Sequence, residues 1–442
     1  MPDATFNFPR GFLWGAATSS HQVEGNNTNN NWHRWEHSEG KIHSGHLSGL
    51  ANDWWGGRWR EDFDRAAESG QNAHRLSIEW SRVQPAPDRW DQNALDHYRE
   101  MLRGLNERGM TPLVTLHHFT DPLWLEDHGG WTNPDVVTFF EAYAEQVVTA
   151  LKGLCTTWCT INEPNVVTSL GYLLGTHPPG KKDIGQAFTV MGNQVLAHAA
   201  AYRKIHELQP EARVGPVINY RSLQPRRGWS PLDRMATWMQ RKLYNDFFVD
   251  AVQTGKMDYL YKSVRAPEAI GTMDFLGINY YTRQEIFFDP GAANTAYTYQ
   301  RFRTDAEMSQ NGFMANEPEG FFEALKWGYR CGVPLIVTEN GIEDEVDGLR
   351  PRYLAQHLHQ LWRAVNFNYR IKGYFHWTLV DNFEWDAGWK LRFGLYELDP
   401  ETQARRKRRS AGLYEAVCKT NSLSSAMVRE FAPEVFEKIF PG

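Results

Sequence analysis

Short runs of β-branched and aromatic residues alternate along the chain with amphipathic stretches. Eight such runs are present, and each has the length of one buried strand. They are FLWGAAT (12–18), HRLSIEW (74–80), PLVTLHH (112–118), TTWCTINE (156–163), ARVGPVINY (212–220), DFLGINYY (274–281), PLIVTENG (334–341) and IKGYFHWTL (371–379). Between them apolar residues recur at helical spacing, as in 59–70, 135–153 and 353–368. The pattern therefore predicts a strand followed by a helix, eight times over.

This alternation places the chain in the α/β class. Eight strand–helix units imply parallel strands joined by right-handed crossovers, and no Pro- or Ser-rich linker divides them. A single-domain (β/α)8 TIM barrel over residues 1–442 is the most economical arrangement. The alternative is a doubly wound open sheet, but the chain carries neither the GxGxxG nor the GxxxxGK loop that binds phosphate in such folds.

Composition and charge narrow the classes of partner. The 442 residues are 41% hydrophobic and 23% charged, which is typical of a globular protein. A formal net charge of −6 disfavours a nucleic acid or an anionic membrane as partner. The basic cluster RRKRR (405–409) is one short run, which we interpret as a solvated loop leading into the last helix. Because no run of about 18 apolar residues is present, no membrane span is predicted.

The N-terminus and the cysteines bear on location. The opening MPDATFNFPRGF has no basic segment followed by an apolar stretch, so we predict no secretory signal. The four cysteines are few and irregularly spaced, and we interpret Cys155 and Cys159 as small core residues in a reducing compartment. A cytoplasmic location is therefore predicted, and the sequence leaves the oligomeric state open.

Polar residues gather where the predicted strands end. In a barrel, the carboxyl ends of the strands meet at one face and build the active site. The polar side chains at or near these ends are Gln22, Glu24, Arg75, Glu79, His117, His118, Asn162, Glu163, Asn219, Asn279, Tyr281 and Glu339. The adjacent His117 and His118 point to opposite sides of a strand, so they cannot both ligate one metal ion. We predict neither a metal nor a cofactor.

Two of the apolar strands end in a glutamate, Glu163 in TINEPN and Glu339 in PLIVTENG. A buried carboxylate is costly unless it is paired or used, and a helix cap or an ion pair with Arg is the structural alternative for each. Aromatic residues make up 14% of the chain, with 18 Trp, and their flat faces suit sugar stacking. Carboxylates, amides and aromatic rings together fit cleavage of a glycosidic bond, for which retaining enzymes hold two carboxyl groups about 5–5.5 Å apart.

Six motifs, in order along the chain, resemble glycoside hydrolase family 1. They are FLWGAATSSHQVEG (12–25), RLSIEWSR (75–82), TINEPN (160–165), GINYYT (277–282), VTENG (337–341) and HWTLVDNFEWDAGWKLRFGL (376–395). The resemblance runs from Phe8 to about Ala411. It implies a retaining β-glycosidase, above all a β-glucosidase with β-galactosidase or β-fucosidase side activity. Such an enzyme needs no cofactor and acts on small soluble β-glycosides or oligosaccharides.

The resemblance also implies a role for individual residues. Glu163, in the NEP motif, is the general acid/base, and Glu339, in the TENG motif, is the nucleophile. Arg75 and Tyr281 contact the nucleophile, and Asn279 supports the site beside it. The residues implied to hold the non-reducing sugar are Gln22, His118, Asn162, Trp377, Glu384 and Trp385. A carboxylate at Glu384 would make a charge-assisted contact to paired hydroxyls and would repel a phosphate.

The chain departs from the family pattern in two places. His21 and Phe119 stand where the family commonly has Tyr and Trp, which changes the wall of the sugar subsite. The stretch from Asn219 to Phe275 is short for the family and contains DYLYKSVR (258–265). We therefore expect a more open barrel flank there, with exposed Tyr and Lys. Mobility is the usual consequence of such a flank, and a ligand pocket between helices is the alternative.

Two other functions share most of these features. A non-catalytic carbohydrate-binding protein would use the same aromatic and amide residues, but it would not need a second carboxylate. A transglycosylase would use every one of the implied catalytic residues, and it would differ only in how well water competes for the glycosyl-enzyme.

Overall fold

Eight parallel strands close into a barrel. The computed structural model describes residues 4–259, 262–292 and 297–441. The barrel strands are β1 (Leu13–Ala17), β2 (Ala73–Ser77), β3 (Thr111–His117), β4 (Thr157–Asn162), β5 (Arg213–Pro225), β6 (Leu276–Phe288), β7 (Leu335–Asn340) and β8 (Ile371–His376). Neighbours in the chain pair with each other, and β8 pairs with β1 to complete the ring. The predicted (β/α)8 barrel and its eight strands are confirmed.

Helices cover the outside of this ring. The main ones are α1 (Trp59–Glu68), α2 (Gln92–Glu107), α3 (Val136–Leu151), α4 (Ile184–Leu208), α5 (Pro231–Arg241), α6 (Phe247–Thr254), α7 (Pro318–Tyr329), α8 (Arg350–Asn366) and α9 (Arg409–Thr420). Asp91 and Asp183 accept hydrogen bonds from the first free N–H groups of α2 and α4, as helix caps do. Gly70 follows α1 with φ +78°, a left-handed conformation that ends a helix.

Shorter elements join the barrel strands to these helices. The short α-helices are Ser20–Val23, Asn31–Glu36, Trp80–Val83, Leu123–Asp127, Pro164–Val166, Ser425–Phe431 and Phe436–Ile439, and Val167–Leu174 is π-helical. Strand Thr5–Asn7 pairs with Ser422–Ser424, which holds the two ends of the chain together. Of the described helices, none is long and apolar enough to cross a membrane.

The basic cluster RRKRR is not the solvated loop that we expected. Arg405–Lys407 is a short strand, and the buried Arg405 guanidinium binds Asp62 at 3.2 Å. Arg408 is also buried and binds both carboxylate oxygens of Asp381, at 2.7 and 2.8 Å. Buried cations are retained where a carboxylate faces them. Two of the arginines therefore join the chain before α9 to the barrel.

The shortened segment after β5 is folded throughout its described part. Strands β5 and β6 each run for 13 residues, and α5 packs against both. A π-helical turn, Lys242–Asp246, leads from α5 into α6. The strand Lys256–Tyr259 then pairs with Lys262–Arg265, while Leu260 and Tyr261 lie outside the described residues.

Buried apolar side chains form two layers around the strands. One set lies inside the ring, and it includes Ala17, Leu113, Cys159, Val217 and Phe375 from five different strands. A larger set lies between the strands and the helices. The expectation that Cys155 and Cys159 are core residues is confirmed, since both are buried and unpaired. The inner layer leaves the carboxyl ends of the strands free to carry polar groups.

Candidate active site

Strand register places the polar ends of β4 to β7 side by side. In the β5–β6 pair Asn219 lies opposite Asn279, and in the β6–β7 pair Glu339 lies opposite the same residue. Glu163 follows the last residue of β4 with φ 48°, a left-handed conformation that is uncommon outside glycine. Pro164 then opens a short helix, a position that suits its fixed φ. The turn sends the Glu163 side chain inward, toward the cavity.

The Glu163 carboxyl group is buried and held by two amides. It is 5% exposed. Its Oε1 accepts a hydrogen bond from Nδ2 of Asn219 at 2.8 Å and another from Nδ2 of Asn279 at 2.7 Å. Neither partner carries a charge, so the environment of Glu163 is polar without a cation in direct contact.

Glu339 has a different environment. Its Oε1 lies 2.5 Å from Nη1 of Arg75, and its Oε2 accepts a hydrogen bond from the Tyr281 hydroxyl at 2.5 Å. Arg75 is fully buried and also donates to Thr115 at 3.0 Å and to Asn162 at 2.7 Å. The guanidinium is thus fixed by a network that leaves one N–H directed at the Glu339 carboxylate.

Burial and charge give the two carboxyl groups different protonation states. Burial, followed by the charge of Glu339, raises the pKa of Glu163 to about 8. Burial also raises the pKa of Glu339, but the Arg75 guanidinium and the Tyr281 hydroxyl lower it again in part. Because Glu339 is the group in contact with a cation, we place the negative charge on Glu339 and the proton on Glu163 at neutral pH.

Both carboxyl groups line a cavity of about 400 Å³ at this end of the barrel. Of the predicted site residues, those that line it are Glu163, Glu339, His118, Tyr281, Trp377, Glu384 and Trp385. The remaining ones, Gln22, Arg75, Asn162 and Asn279, lie directly behind this lining and are fully buried. The structure therefore brings all of them together, in two layers.

Aromatic rings form one wall of the cavity. The His118 ring stacks on Trp385 at 6.1 Å and on Trp377 at 6.1 Å. Phe119 packs edge-on against Trp385 at 5.0 Å, and His21 lies behind the same ring, stacked at 6.0 Å. His21 and Phe119, which stand where the family commonly has Tyr and Trp, thus both contact Trp385. They shape the wall and leave the two carboxyl groups untouched.

The tautomer of His118 follows from its contact with Asn162. Its Nε2 faces Nδ2 of Asn162 at 3.1 Å, and Asn162 is oriented because its Oδ1 accepts from Arg75. His118 Nε2 is therefore the acceptor and its Nδ1 carries the proton. This Nδ1 is buried without a hydrogen-bond partner in the part of the chain that the structure describes. His117 points the other way, to Asp121 at 3.0 Å, as the alternation of a strand predicts.

Glu384 also lines the cavity and accepts a hydrogen bond from Gln22. Nε2 of Gln22 donates to Glu384 Oε2 at 3.1 Å and to the Phe383 carbonyl at 2.8 Å. Burial, with the charges of Glu339 and Asp386, raises the pKa of Glu384 to about 8. Its negative charge at neutral pH is accordingly smaller than the sequence suggested, and so is its repulsion of a phosphate.

Three residues support Glu163, and sequence reasoning identified only one of them. The Tyr244 hydroxyl donates to Oδ1 of Asn219 at 3.1 Å, and Asn219 in turn holds Glu163. Arg221 lies over the Tyr244 ring at 4.5 Å and donates to its hydroxyl at 3.2 Å. Tyr244 sits in the π-helical turn after α5, and π-helical turns often occur at functional sites. Of the three, only Asn219 had a signal in the sequence, its place at a strand end.

Comparison with known proteins agrees with this geometry. The sequence profile of Glycosyl hydrolase family 1 matches residues 4–423. Beta-glucosidase A of Thermotoga maritima is 33% identical over 444 residues, which cover 94% of this chain and 98% of that protein. A Beta-galactosidase of Sulfolobus acidocaldarius is 30% identical over 477 residues, which cover 94% of this chain and 96% of that protein.

Solved structures show the same likeness. A beta-glycosidase from Pyrococcus horikoshii has a TM-score of 0.90 at 35% identity, covering 97% of this chain and 98% of that chain. A beta-glucosidase from Thermotoga maritima in complex with glucoimidazole has a TM-score of 0.90 at 32% identity, covering 94% and 100%. Fold and site together define the class of TIM-barrel glycosidases. The chain belongs to glycosyl hydrolase family 1 and is a glycoside hydrolase of the β-glucosidase type.

Proposed function

We propose that Glu339 is the nucleophile and Glu163 the general acid/base of a retaining β-glucosidase. One observation carries this assignment: Glu339 is paired with the Arg75 guanidinium, whereas Glu163 is held by two neutral amides. A nucleophile must be ionised and a general acid must be protonated when the substrate arrives. The unequal pairing favours that arrangement and disfavours the reverse one.

The first step forms a covalent glycosyl-enzyme. An oxygen of Glu339 attacks the anomeric carbon from one side of the sugar as the bond to the departing oxygen breaks. Glu163 transfers its proton to that oxygen, so the aglycone leaves as a neutral alcohol. Arg75 and Tyr281 hold the attacking carboxylate in place through its two oxygens, which fixes the direction of attack.

The second step returns both groups to their starting states. Glu163 is a carboxylate at this point because it has given its proton to the aglycone. Burial still raises its pKa, but the ester on Glu339 carries no charge, so the repulsion that added to the effect of burial is gone. Glu163 removes a proton from water, the water oxygen attacks the anomeric carbon, and the ester bond breaks. The sugar leaves with its original configuration after two displacements.

We assign substrate binding to the lining and to the amides behind it. Trp377 offers a flat face to the sugar ring, and His118 and the carboxyl of Glu384 line the same cavity and supply polar groups for its hydroxyls. Gln22 and Asn162 orient Glu384 and His118, and Trp385 closes the wall. These groups suit a terminal β-D-glucosyl residue of a small soluble glycoside or oligosaccharide, with galactosides or fucosides as secondary substrates.

We further propose that residues 1–442 act as one catalytic domain in the cytoplasm. The barrel runs without interruption from β1 to β8, and the strand pair Thr5–Asn7 and Ser422–Ser424 ties its ends together. Four unpaired cysteines suit a reducing compartment.

Glu384→Ala should lower kcat/KM for aryl β-glucosides at least tenfold. Because the pKa of Glu384 is raised to about 8, the carboxyl group is largely protonated near neutral pH, and each hydrogen bond to it contributes about 0.5–1.5 kcal/mol. Two substrate hydroxyls share this carboxyl, so the loss of both bonds reaches about tenfold or more. Asp386→Ala is the matched control, because Asp386 lines the same cavity but pairs with His177. Steady-state kinetics of both variants test this prediction. Unchanged kinetics in Glu384→Ala would remove Glu384 from the sugar subsite.

Tyr244→Phe should move the alkaline limb of the pH–rate profile to higher pH. Without the phenol hydroxyl, Asn219 loses a donor that orients it, and its own donation to the ionised form of Glu163 weakens. The pKa of Glu163 then rises. One such hydrogen bond contributes about 0.5–1.5 kcal/mol, so we expect a loss of between about two- and tenfold in kcat/KM near neutral pH.

The control for this variant is Tyr202→Phe, which removes a hydroxyl that donates to Asp274 away from the cavity. That variant should keep the wild-type profile. If Tyr244→Phe also keeps it, Tyr244 packs in the site without positioning the acid/base.

A further inference from the structure

A cluster of possible metal ligands lies outside the cavity, on the short helix Asn31–Glu36. The sequence HRWEH places His33, Glu36 and His37 at positions i, i+3 and i+4, which share one face of a helix. One ring nitrogen of each histidine and one carboxylate oxygen of Glu36 lie within 4.8 Å of one another. In the known helical motif H-x-x-E-H the two histidines are likewise the metal ligands, whereas its glutamate acts as a base.

Glu36 is held as an oriented carboxylate. It is buried, and Ser48 donates to both of its oxygens, through its backbone N–H at 3.0 Å and its hydroxyl at 2.9 Å. Metal ligands are commonly fixed by such donors behind them. Each oxygen keeps a lone pair that a cation could take.

The two histidine rings lie side by side, and His33 is partly buried whereas His37 is exposed. No hydrogen bond to the His33 ring is found within the described ranges. The His37 ring lies 4.1 Å from that of His33, with Nδ1 at 2.8 Å from the His33 carbonyl. Its side chain is 48% exposed, so the ring can turn to offer either nitrogen.

Arg34, the positively charged residue of this helix, is paired with a carboxylate outside the cluster. Arg34 binds both carboxylate oxygens of Asp127, at 2.7 and 3.3 Å, and its charge is therefore neutralised. Two imidazole nitrogens and one carboxylate oxygen suit zinc, nickel or copper, whereas magnesium and calcium prefer an all-oxygen set.

We infer that His33, Glu36 and His37 bind one divalent transition-metal cation of the zinc class. The site is separate from the two catalytic carboxyl groups, and it does not depend on the roles proposed for them. The helix that carries it also carries Trp32, whose ring lies 4.6 Å from Trp385. A bound cation would fix the C-terminal end of this helix, behind the wall of the sugar subsite.

The test is titration calorimetry of the full chain with ZnCl₂. The protein is prepared without a polyhistidine tag and is stripped with a chelator. We expect one Zn²⁺ per chain, with the affinity lowered at least about tenfold in His33→Ala and in His37→Ala, since even a group behind the ligands changes affinity by 10–100-fold. Both histidines are at least partly exposed, so neither substitution should unfold the protein.

His43→Ala serves as the control, because His43 is an exposed histidine that does not belong to the cluster. It should bind Zn²⁺ as the wild type does. The proposal is overturned if the wild type binds no Zn²⁺ up to millimolar concentration. It is equally overturned if the affinity of His33→Ala equals that of the wild type, or if His43→Ala loses as much as His33→Ala.

Discussion

Glu339→Ala should lower the hydrolysis of aryl β-glucosides by more than about 10⁴-fold, the scale on which removal of a catalytic nucleophile acts. Azide should then restore turnover and give an α-glycosyl azide. The small anion can occupy the space that the carboxylate leaves beside Arg75 and attack the anomeric carbon from the same side. Rate measurements with and without azide, and NMR of the product, make the test.

This variant carries its own control for folding. The substitution leaves the buried Arg75 guanidinium without its carboxylate, which destabilises a protein by about 3–5 kcal/mol when nothing replaces the partner. Rescue by azide would show that the barrel is folded. A β-glycosyl azide would place the nucleophile elsewhere, and so would a lack of rescue in a variant that circular dichroism shows to be folded.

Glu163→Ala should separate substrates by the quality of their leaving group. Dinitrophenol leaves readily without a proton, so its glucoside should still form the glycosyl-enzyme. Alkyl glucosides need the proton and should lose about 10²–10⁴-fold. Because the same residue activates water in the second step, a burst of dinitrophenol should precede a slow steady state. Stopped-flow kinetics would show both phases.

The pH–rate profile gives an independent check of this variant. The wild-type kcat/KM should fall as pH rises through about 8, because above its pKa Glu163 has lost the proton that it donates. This limb should disappear in Glu163→Ala and persist in Glu384→Ala, although the pKa of Glu384 is also about 8. If Glu163→Ala cleaved both substrate types equally well and kept the alkaline limb, Glu163 would not be the acid/base and TINEPN would be a structural motif.

Periodicity was sufficient to predict the barrel. Each unit pairs a β-branched run with an amphipathic stretch, and eight parallel crossovers leave few arrangements other than a closed ring. The same reasoning placed Glu163 and Glu339 at the carboxyl ends of β4 and β7, where the structure has them. Strand lengths were less well predicted: β5 and β6 reach Pro225 and Phe288, because their continuation carries polar residues that weaken the strand signal.

Contacts between distant parts of the chain could not be predicted in this way. The sequence around RRKRR predicts a solvated loop, because no neighbouring residue indicates that two of its arginines pair with Asp62 and Asp381. Tyr244 lies in a π-helical turn that directs its hydroxyl to Asn219. The spacing of apolar residues does not distinguish such a turn from an α-helix, so this contact could not be predicted. The raised pKa of Glu384 likewise depends on burial, which only the folded chain supplies.

Covalent trapping tests the assignment of the two glutamates most directly. A 2-deoxy-2-fluoro-β-glucoside of dinitrophenol should form the glycosyl-enzyme quickly, and the fluorosugar should then be released slowly. The fluorine disfavours the oxocarbenium-like transition states of both steps, whereas the good leaving group speeds only the first step. Mass spectrometry of the digested adduct should find the sugar on the peptide that contains VTENG, at Glu339. A sugar attached to Glu163 or to any other residue, or inactivation without an adduct, would contradict the proposed double displacement.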